Sequence, residues 1–271
     1  MRFDGKVAIV TGSNTGIGRG IALRLAQEGA RIIVNGRNVE KGEAVVAEIA
    51  AAGGTATFVK ADLGIEEEVR HLVNQSIRLF GGVDVLINNA AAIDAIQSGD
   101  RPCADLSSEA FDRIMKVGVY GTFWASKYAL PSMIARGGGN IVNISSNGGW
   151  LGVPDIMGYS CSKSALFGLT KSIALDYGLK GIRCNCVLPG YVRDGAVGSA
   201  IFDDPVTGPM FASVVSTGKI GSPSDVGALI AFMCSDEAGY LTGQLIHLDG
   251  GLSARLASPS GFSAGLPEGL T

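Results

Sequence analysis

The stretch Val7-Ala8-Ile9-Val10-Thr11-Gly12-Ser13-Asn14-Thr15-Gly16-Ile17-Gly18 decides the fold. Its first four residues are an apolar burst of the kind that forms a strand buried on both faces. The burst runs straight into a glycine-punctuated turn, and residues 16–28 then read as a helix. Glycines at 12, 16 and 18 let the backbone of such a strand-to-helix turn come close to a ligand. The first N–H groups of the helix, with its dipole, favour a pyrophosphate there. Tight turns need glycine for reasons of their own. It is the placement directly after the first strand that points to a dinucleotide.

Outward from this stretch, short β-type runs alternate with helical patterns. Strands are predicted over residues 6–10, 31–35, 55–59, 83–87, 140–144, 182–187 and 243–248. Helices are predicted over 16–28, 39–52, 65–80, roughly 107–136, 159–180 and 224–234. Buried strands separated by amphipathic helices imply parallel crossovers. The expected fold is α/β: a Rossmann-like doubly wound seven-stranded parallel sheet flanked by helices, in a single domain over 1–251. Residues 191–221 hold Phe202, Met210 and Phe211 without a clear period, and so long a loop reads as a substrate lid. Residues 252–271, rich in Ser, Gly, Pro and Ala, read as a flexible C-terminal tail.

Composition removes several classes. The 271 residues carry 22 basic and 25 acidic side chains, a net charge of -3, and no cationic run, which argues against nucleic acid. No apolar run approaches the ~20 residues of a membrane-spanning helix. The first six residues show no signal-type apolar segment. Five cysteines make an odd count with no paired metal-ligand spacing. They read as core thiols of a reducing, cytoplasmic setting, with Cys184 and Cys186 expected on opposite faces of a strand. The two histidines are expected on a solvated helix face (His71) and in the last strand (His247), so no metal site is expected.

The glycine spacing G-x-x-x-G-x-G is accompanied by Asn88-Asn89-Ala90-Ala91 after the fourth strand and Ser146 after the fifth. Tyr159-x-x-x-Lys163 and Pro189-Gly190 follow in order. Together these motifs resemble the short-chain dehydrogenase/reductase family, over residues 5 to about 251. The resemblance implies a nicotinamide dinucleotide held by Gly12, Asn14, Thr15, Gly16, Ile17 and Gly18. It also implies Asp62 and Leu63 beside the adenine, Asn89 and Ala90 along the cofactor, and Pro189, Gly190 and Val192 near the nicotinamide. Asn88 and Asn89 have a plainer reading, as residues that cap and turn the chain.

At the end of the second strand an acidic residue would favour a ribose 2′-hydroxyl, and a basic one a 2′-phosphate. Gly36 stands where relatives that prefer NAD place Asp, and Arg37 follows it, so NADP(H) is favoured over NAD(H). Arg37 also reads simply as a surface residue opening a helix, and Thr15 stands where many NADP relatives carry a basic residue.

Tyr159 and Lys163, four apart on a predicted helix, share a face. A phenol near pKa 10 is a weak base at neutral pH, and a neighbouring ammonium is expected to bring it down. The resemblance makes Tyr159 the proton donor to a carbonyl oxygen, or the acceptor in alcohol oxidation. Lys163 would also hold the nicotinamide ribose, and Ser146, rather than Ser145, would bind the reacting oxygen. The expected substrate is a small molecule, medium-sized or cyclic, and a mostly hydrophobic ketone or secondary alcohol, with Trp150, Met157, Tyr191, Phe202, Met210 and Phe211 as candidate pocket residues. A homotetramer built on helices 107–136 and 159–180 and on the last strand is implied in the same way. The alternatives are a catalytically impaired cofactor-binding sensor or scaffold, and a dehydratase or epimerase using bound cofactor.

Three positions depart from the family pattern. Ala91 replaces a glycine, and Asp194 replaces a Thr that contacts the carboxamide. Gly118 replaces an Asn at a helix kink whose backbone carbonyl holds a relay water. Gly118 keeps that carbonyl, so Gly118→Asn is expected to raise turnover or leave it unchanged.

Overall fold

Alternate residues of the central strands go to opposite apolar layers. Ala8, Val10, Ile32, Val34, Val85 and Ile87 belong to one, and Ile9, Ile33 and Leu86 to the other. A sheet apolar on both faces must be covered twice. The computed structural model, which describes residues 1–195 and 199–254, satisfies this with one parallel sheet between helical layers.

The strands are β1 (Val7–Val10), β2 (Arg31–Gly36), β3 (Thr55–Lys60), β4 (Val85–Asn88), β5 (Gly139–Ile144), β6 (Ile182–Pro189) and β7 (Leu245–Leu248). The helices are α1 (Gly16–Gln27), α2 (Val39–Ala51), α3 (Glu66–Phe80), α4 (Ile93–Gly99), α5 (Ser108–Met115) and α6 (Gly121–Ala135). Then come α7 (Met157–Tyr177), α8 (Ser199–Asp203), α9 (Thr207–Ser213) and α10 (Pro223–Cys234). The first layer is covered by α1, α2 and α10, and the second by α3, α5, α6 and α7. Sheet order is β3-β2-β1-β4-β5-β6-β7, with every pairing parallel. Strand order reverses between β1 and β4, so the chain leaves their carboxyl ends in opposite directions and opens a crevice there.

All seven predicted strands are present, with ends shifted by one or two residues. The predicted helix over 107–136 is interrupted: a five-residue π-turn, Lys116–Tyr120, joins α5 to α6. Three short helices, α4, α8 and α9, form where no period was legible, two of them inside the predicted lid. Of the predicted lid and tail, residues 196–198 and 255–271 lie outside the described residues. The expectation for Cys184 and Cys186 is wrong. Residues two apart in a strand share a face, and both thiols point to the α7 side, Cys186 packing with Leu166. Cys184, Cys186 and Cys234 are buried, whereas Cys103 is exposed. No helix among the described residues is long and apolar enough to cross a membrane.

Candidate active site

The turn after β1 is fixed by Asn89 and by two side chains without a sequence signal, Thr11 and Asn35. Thr11 Oγ1 accepts from the N–H groups of Asn89 (2.9 Å) and Ala90 (3.1 Å). Asn35, buried in β2, accepts from Gly12 N–H at 3.2 Å and donates to the carbonyls of Val59 and Ala61 at 3.1 and 3.3 Å. Asn89 Nδ2 donates to the carbonyls of Thr11 and Gly12 at 3.0 and 3.1 Å. Asn88 turns away from the crevice, donating to Asn143 at 2.9 Å in a buried network. Asn89 thus anchors the turn and also lines the crevice.

Within the turn, Gly12 and Gly16 have φ of 61° and 59°, which a side chain would strain. A Cβ on Gly18 would collide with Gly12 O and Asn89 Nδ2. Helix α1 begins at Gly16 with Thr15 as N-cap, without a side-chain capping bond or an acidic residue in its first turn. Its first N–H groups are therefore available to an anion. The crevice has a volume of about 380 Å³ and runs from this turn past Arg37, Asp62 and Leu63 at one end to Tyr159 and Lys163 at the other. Asn14, Thr15, Ile17 and Ala90 also line it. An anionic turn ligand at one end and a basic, hydroxyl-bearing pair at the other fit a dinucleotide. Pro189, Gly190 and Val192 fall outside the lining. Val192 is buried in the first apolar layer, and Gly190 is packed on Asp249.

Tyr159 and Lys163 lie on α7, with Lys163 Nζ 5.7 Å from the Tyr159 ring centre. Nζ donates to Ile144 O at 2.8 Å. Ser146 accepts from Gly148 N–H at 3.0 Å and hydrogen-bonds with Tyr159. Ser145 is committed elsewhere, donating to Lys163 O at 2.8 Å, which leaves Ser146 as the hydroxyl at the tyrosine.

The expected lowering of the phenol is not found. Burial pushes Tyr159 above its ordinary range, the Ser146 bond opposes this, and the Asp194 carboxylate adds to it. Burial also brings the Lys163 amine down to about 8. A dry environment disfavours both charged forms, and at 5.7 Å the ammonium does not compensate for the phenolate.

Helix α7, which carries Tyr159 and Lys163, has an unusual start. Ile156, its N-cap, offers no capping oxygen. Asp100, buried at the end of α4, caps it from a distance, accepting from Gly158 N–H and Tyr159 N–H at 2.8 Å each. The first turn of α7 and the Tyr159 backbone are thus held by a residue that carries no sequence signal.

At the kink, the Gly118 carbonyl accepts from Thr122 Oγ1 at 2.9 Å. A Cβ at Gly118 would come 3.0 Å from Ser162 Cβ on α7. The expectation for Gly118→Asn is therefore revised, because crowding against α7 offsets any gain. Among the candidate pocket residues, Tyr191, Phe202 and Phe211 form one cluster with ring centres 4.9 to 5.8 Å apart. Trp150 instead packs edge-on against His247 and Phe167.

Comparison with known proteins agrees with this geometry. A family model described as enoyl-(acyl carrier protein) reductase matches residues 12–253. A 2,5-dichloro-2,5-cyclohexadiene-1,4-diol dehydrogenase of Sphingobium indicum is 40% identical, over 93% of this chain and 98% of its own. The cyclohexanol dehydrogenase of an Acinetobacter species is 35% identical, over 94% and 97%. A 7α-hydroxysteroid dehydrogenase, solved with NADH and 7-oxo glycochenodeoxycholic acid, superposes with a TM-score of 0.85 at 33% identity, over 92% and 95%. The chain belongs to the short-chain dehydrogenase/reductase family and is an oxidoreductase acting on alcohol and carbonyl groups with a nicotinamide cofactor.

Three outcomes follow from this geometry. Asp100→Ala should lower kcat about 10- to 100-fold through a displaced Tyr159, and stability by about 1–3 kcal/mol; steady-state rates and urea unfolding measure both. Gly118→Asn should lower the melting temperature without raising kcat, as differential scanning fluorimetry and initial rates would register. For Lys163, the folded value of about 8 lies below the ordinary 10.5. Between these values the unfolded chain binds more protons, so wild-type stability rises with pH there, and below about 8 the full cost of the buried charge is present. In protein stripped of nucleotide, Lys163→Met should therefore be more stable than wild type at pH 7, with an advantage that shrinks towards pH 10.5. A difference that stays constant across urea titrations in this range would contradict it.

Proposed function

We propose that this chain is an NADP(H)-dependent oxidoreductase that interconverts a ketone and a secondary alcohol by direct hydride transfer. Tyr159 is its general acid and base, with Ser146 and Lys163 completing the catalytic set. The observation that carries the reading is the half-buried Tyr159, its hydroxyl bonded to Ser146, on the same crevice as the uncapped start of α1. When bound, the cofactor supplies or accepts the hydride at its nicotinamide ring. Gly12, Asn14, Thr15, Gly16, Ile17 and Gly18 hold the diphosphate by backbone N–H groups and close approach. Lys163 holds ribose hydroxyls, and Ser146 orients the reacting oxygen. Tyr159 gives its proton to that oxygen on reduction and takes one on oxidation. Its high proton affinity suits the donating role near neutral pH.

The NADP(H) preference is supported by Gly36 in place of a carboxylate, with Arg37 and Lys41 lining the adenosine end. Asp62 and Leu63 border the adenine, while Asn89 and Ala90 flank the cofactor. Pro189, Gly190 and Val192 belong to the nicotinamide end through Asp194, which follows them in the chain and lines the crevice. The aromatic cluster of Tyr191, Phe202 and Phe211 supports a hydrophobic, cyclic substrate under a lid over 191–221, within a catalytic domain spanning 1–251. The ring substrates in the names of the relatives point the same way. Exposed Tyr120, Phe123 and Leu175 on the α6 and α7 side support burial in a homotetramer. Five free cysteines support a cytoplasmic setting.

The test follows absorbance at 340 nm with NADPH or NADH and a panel of cyclic ketones, beginning with cyclohexanone. Wild type should consume NADPH in proportion to alcohol formed, and Tyr159→Phe should lose roughly 100- to 10,000-fold of the rate. Tight NADPH binding with no consumption across the panel, or an unimpaired Tyr159→Phe, would refute the proposal.

A further inference from the structure

We propose that Asp94 limits how strongly the crevice discriminates a 2′-phosphorylated dinucleotide from one with a free 2′-hydroxyl, by sharing the guanidinium of Arg37. This rests on the reading that Arg37 meets the 2′ position. Arg37 follows β2 and Asp94 stands in the first turn of α4, on opposite sides of the adenosine end. Arg37 Nη1 and Asp94 Oδ2 are 2.9 Å apart, and both side chains are half exposed. Nη1 is the one Arg37 nitrogen engaged among the described residues, so the rest of the fork faces a second anion without leaving the first.

The surrounding charges make the sharing consequential. Arg113 pairs with both oxygens of Asp62, at 3.0 and 2.7 Å, on the same rim. Two cations are thus matched by two carboxylates, and Lys41, which lines the crevice and makes no ion pair among the described residues, is the surplus. A 2′-phosphate arriving here brings about two negative charges. It meets a guanidinium already partly neutralised and a carboxylate that repels it. An uncharged 2′-hydroxyl meets neither that repulsion nor the lost ionic attraction.

Position 36 itself carries no charge in this chain. A Cβ on Gly36 would come 2.5 to 2.8 Å from the side-chain amide of Asn14, which lines the crevice. An acidic side chain at that position would have to displace Asn14. The carboxylate that meets Arg37 is the one across the crevice, on α4.

The experiment measures dissociation constants of NADPH and NADH by isothermal titration calorimetry, without turnover. Wild type, Asp94→Asn, Arg37→Ala and the double variant are compared at two salt concentrations. Asp94→Asn should tighten NADPH roughly three- to tenfold and leave NADH little changed, an effect that salt diminishes. In the Arg37→Ala background the gain should shrink. An unchanged NADPH-to-NADH ratio in Asp94→Asn, or an equal shift of both cofactors, overturns the proposal. A full gain without Arg37 overturns the sharing. If Arg37→Ala leaves NADPH affinity intact, the NADP(H) reading itself fails, a separate result. Asp94→Ser, with a melting temperature for each variant, guards against a local folding defect.

Discussion

A parallel sheet whose strands bury both faces leaves itself no polar side, and this constraint arranges everything else. Every connection must cross over a face as a helix, so all strands deliver their carboxyl ends to one edge. The reversal between β1 and β4 parts the chain at that edge. The glycine turn after β1, Asn89 after β4 and Ser146 after β5 come together because they occupy equivalent places at successive strand ends. Thr11, Asn35 and Asn89 then hold the turn rigid by buried hydrogen bonds.

The reactive pair illustrates the cost of dryness. Burial raises the phenol and lowers the amine, so the polypeptide alone opposes the charge-separated pair that a catalytic reading of Tyr-x-x-x-Lys suggests. The surroundings hold the groups in place all the same. Ile144 O anchors Nζ, Ser146 meets the phenol, and Asp100 caps the helix that carries both. An active site built in this way keeps its geometry at the expense of stability, as preorganised sites commonly do.

The adenosine end is governed by a different balance. It stays open to solvent, where single ion pairs contribute little and salt screens them. There the arrangement of alternating charges, Arg37 with Asp94 and Arg113 with Asp62, matters more than any one of them. Selectivity at such a rim is a small difference between affinities, and a neighbouring carboxylate shifts it without touching the ligand.

The sequence by itself determined the layer architecture, the seven strands, the glycine turn and the Tyr-Lys pair, because each is written in local spacing or period. Apolar bursts of four to six residues have few other uses in a chain of this composition. Tertiary structure alone decided what depends on residues far apart in the chain. Asp100 caps a helix 57 residues later, Asp94 reaches Arg37 from across the crevice, and Ser162 crowds Gly118. The protonation balance of Tyr159 and Lys163 also needed the fold, since it depends on how much water the surrounding layers exclude. The π-turn at Lys116–Tyr120 and the helices α4, α8 and α9 are too short for periodicity to register.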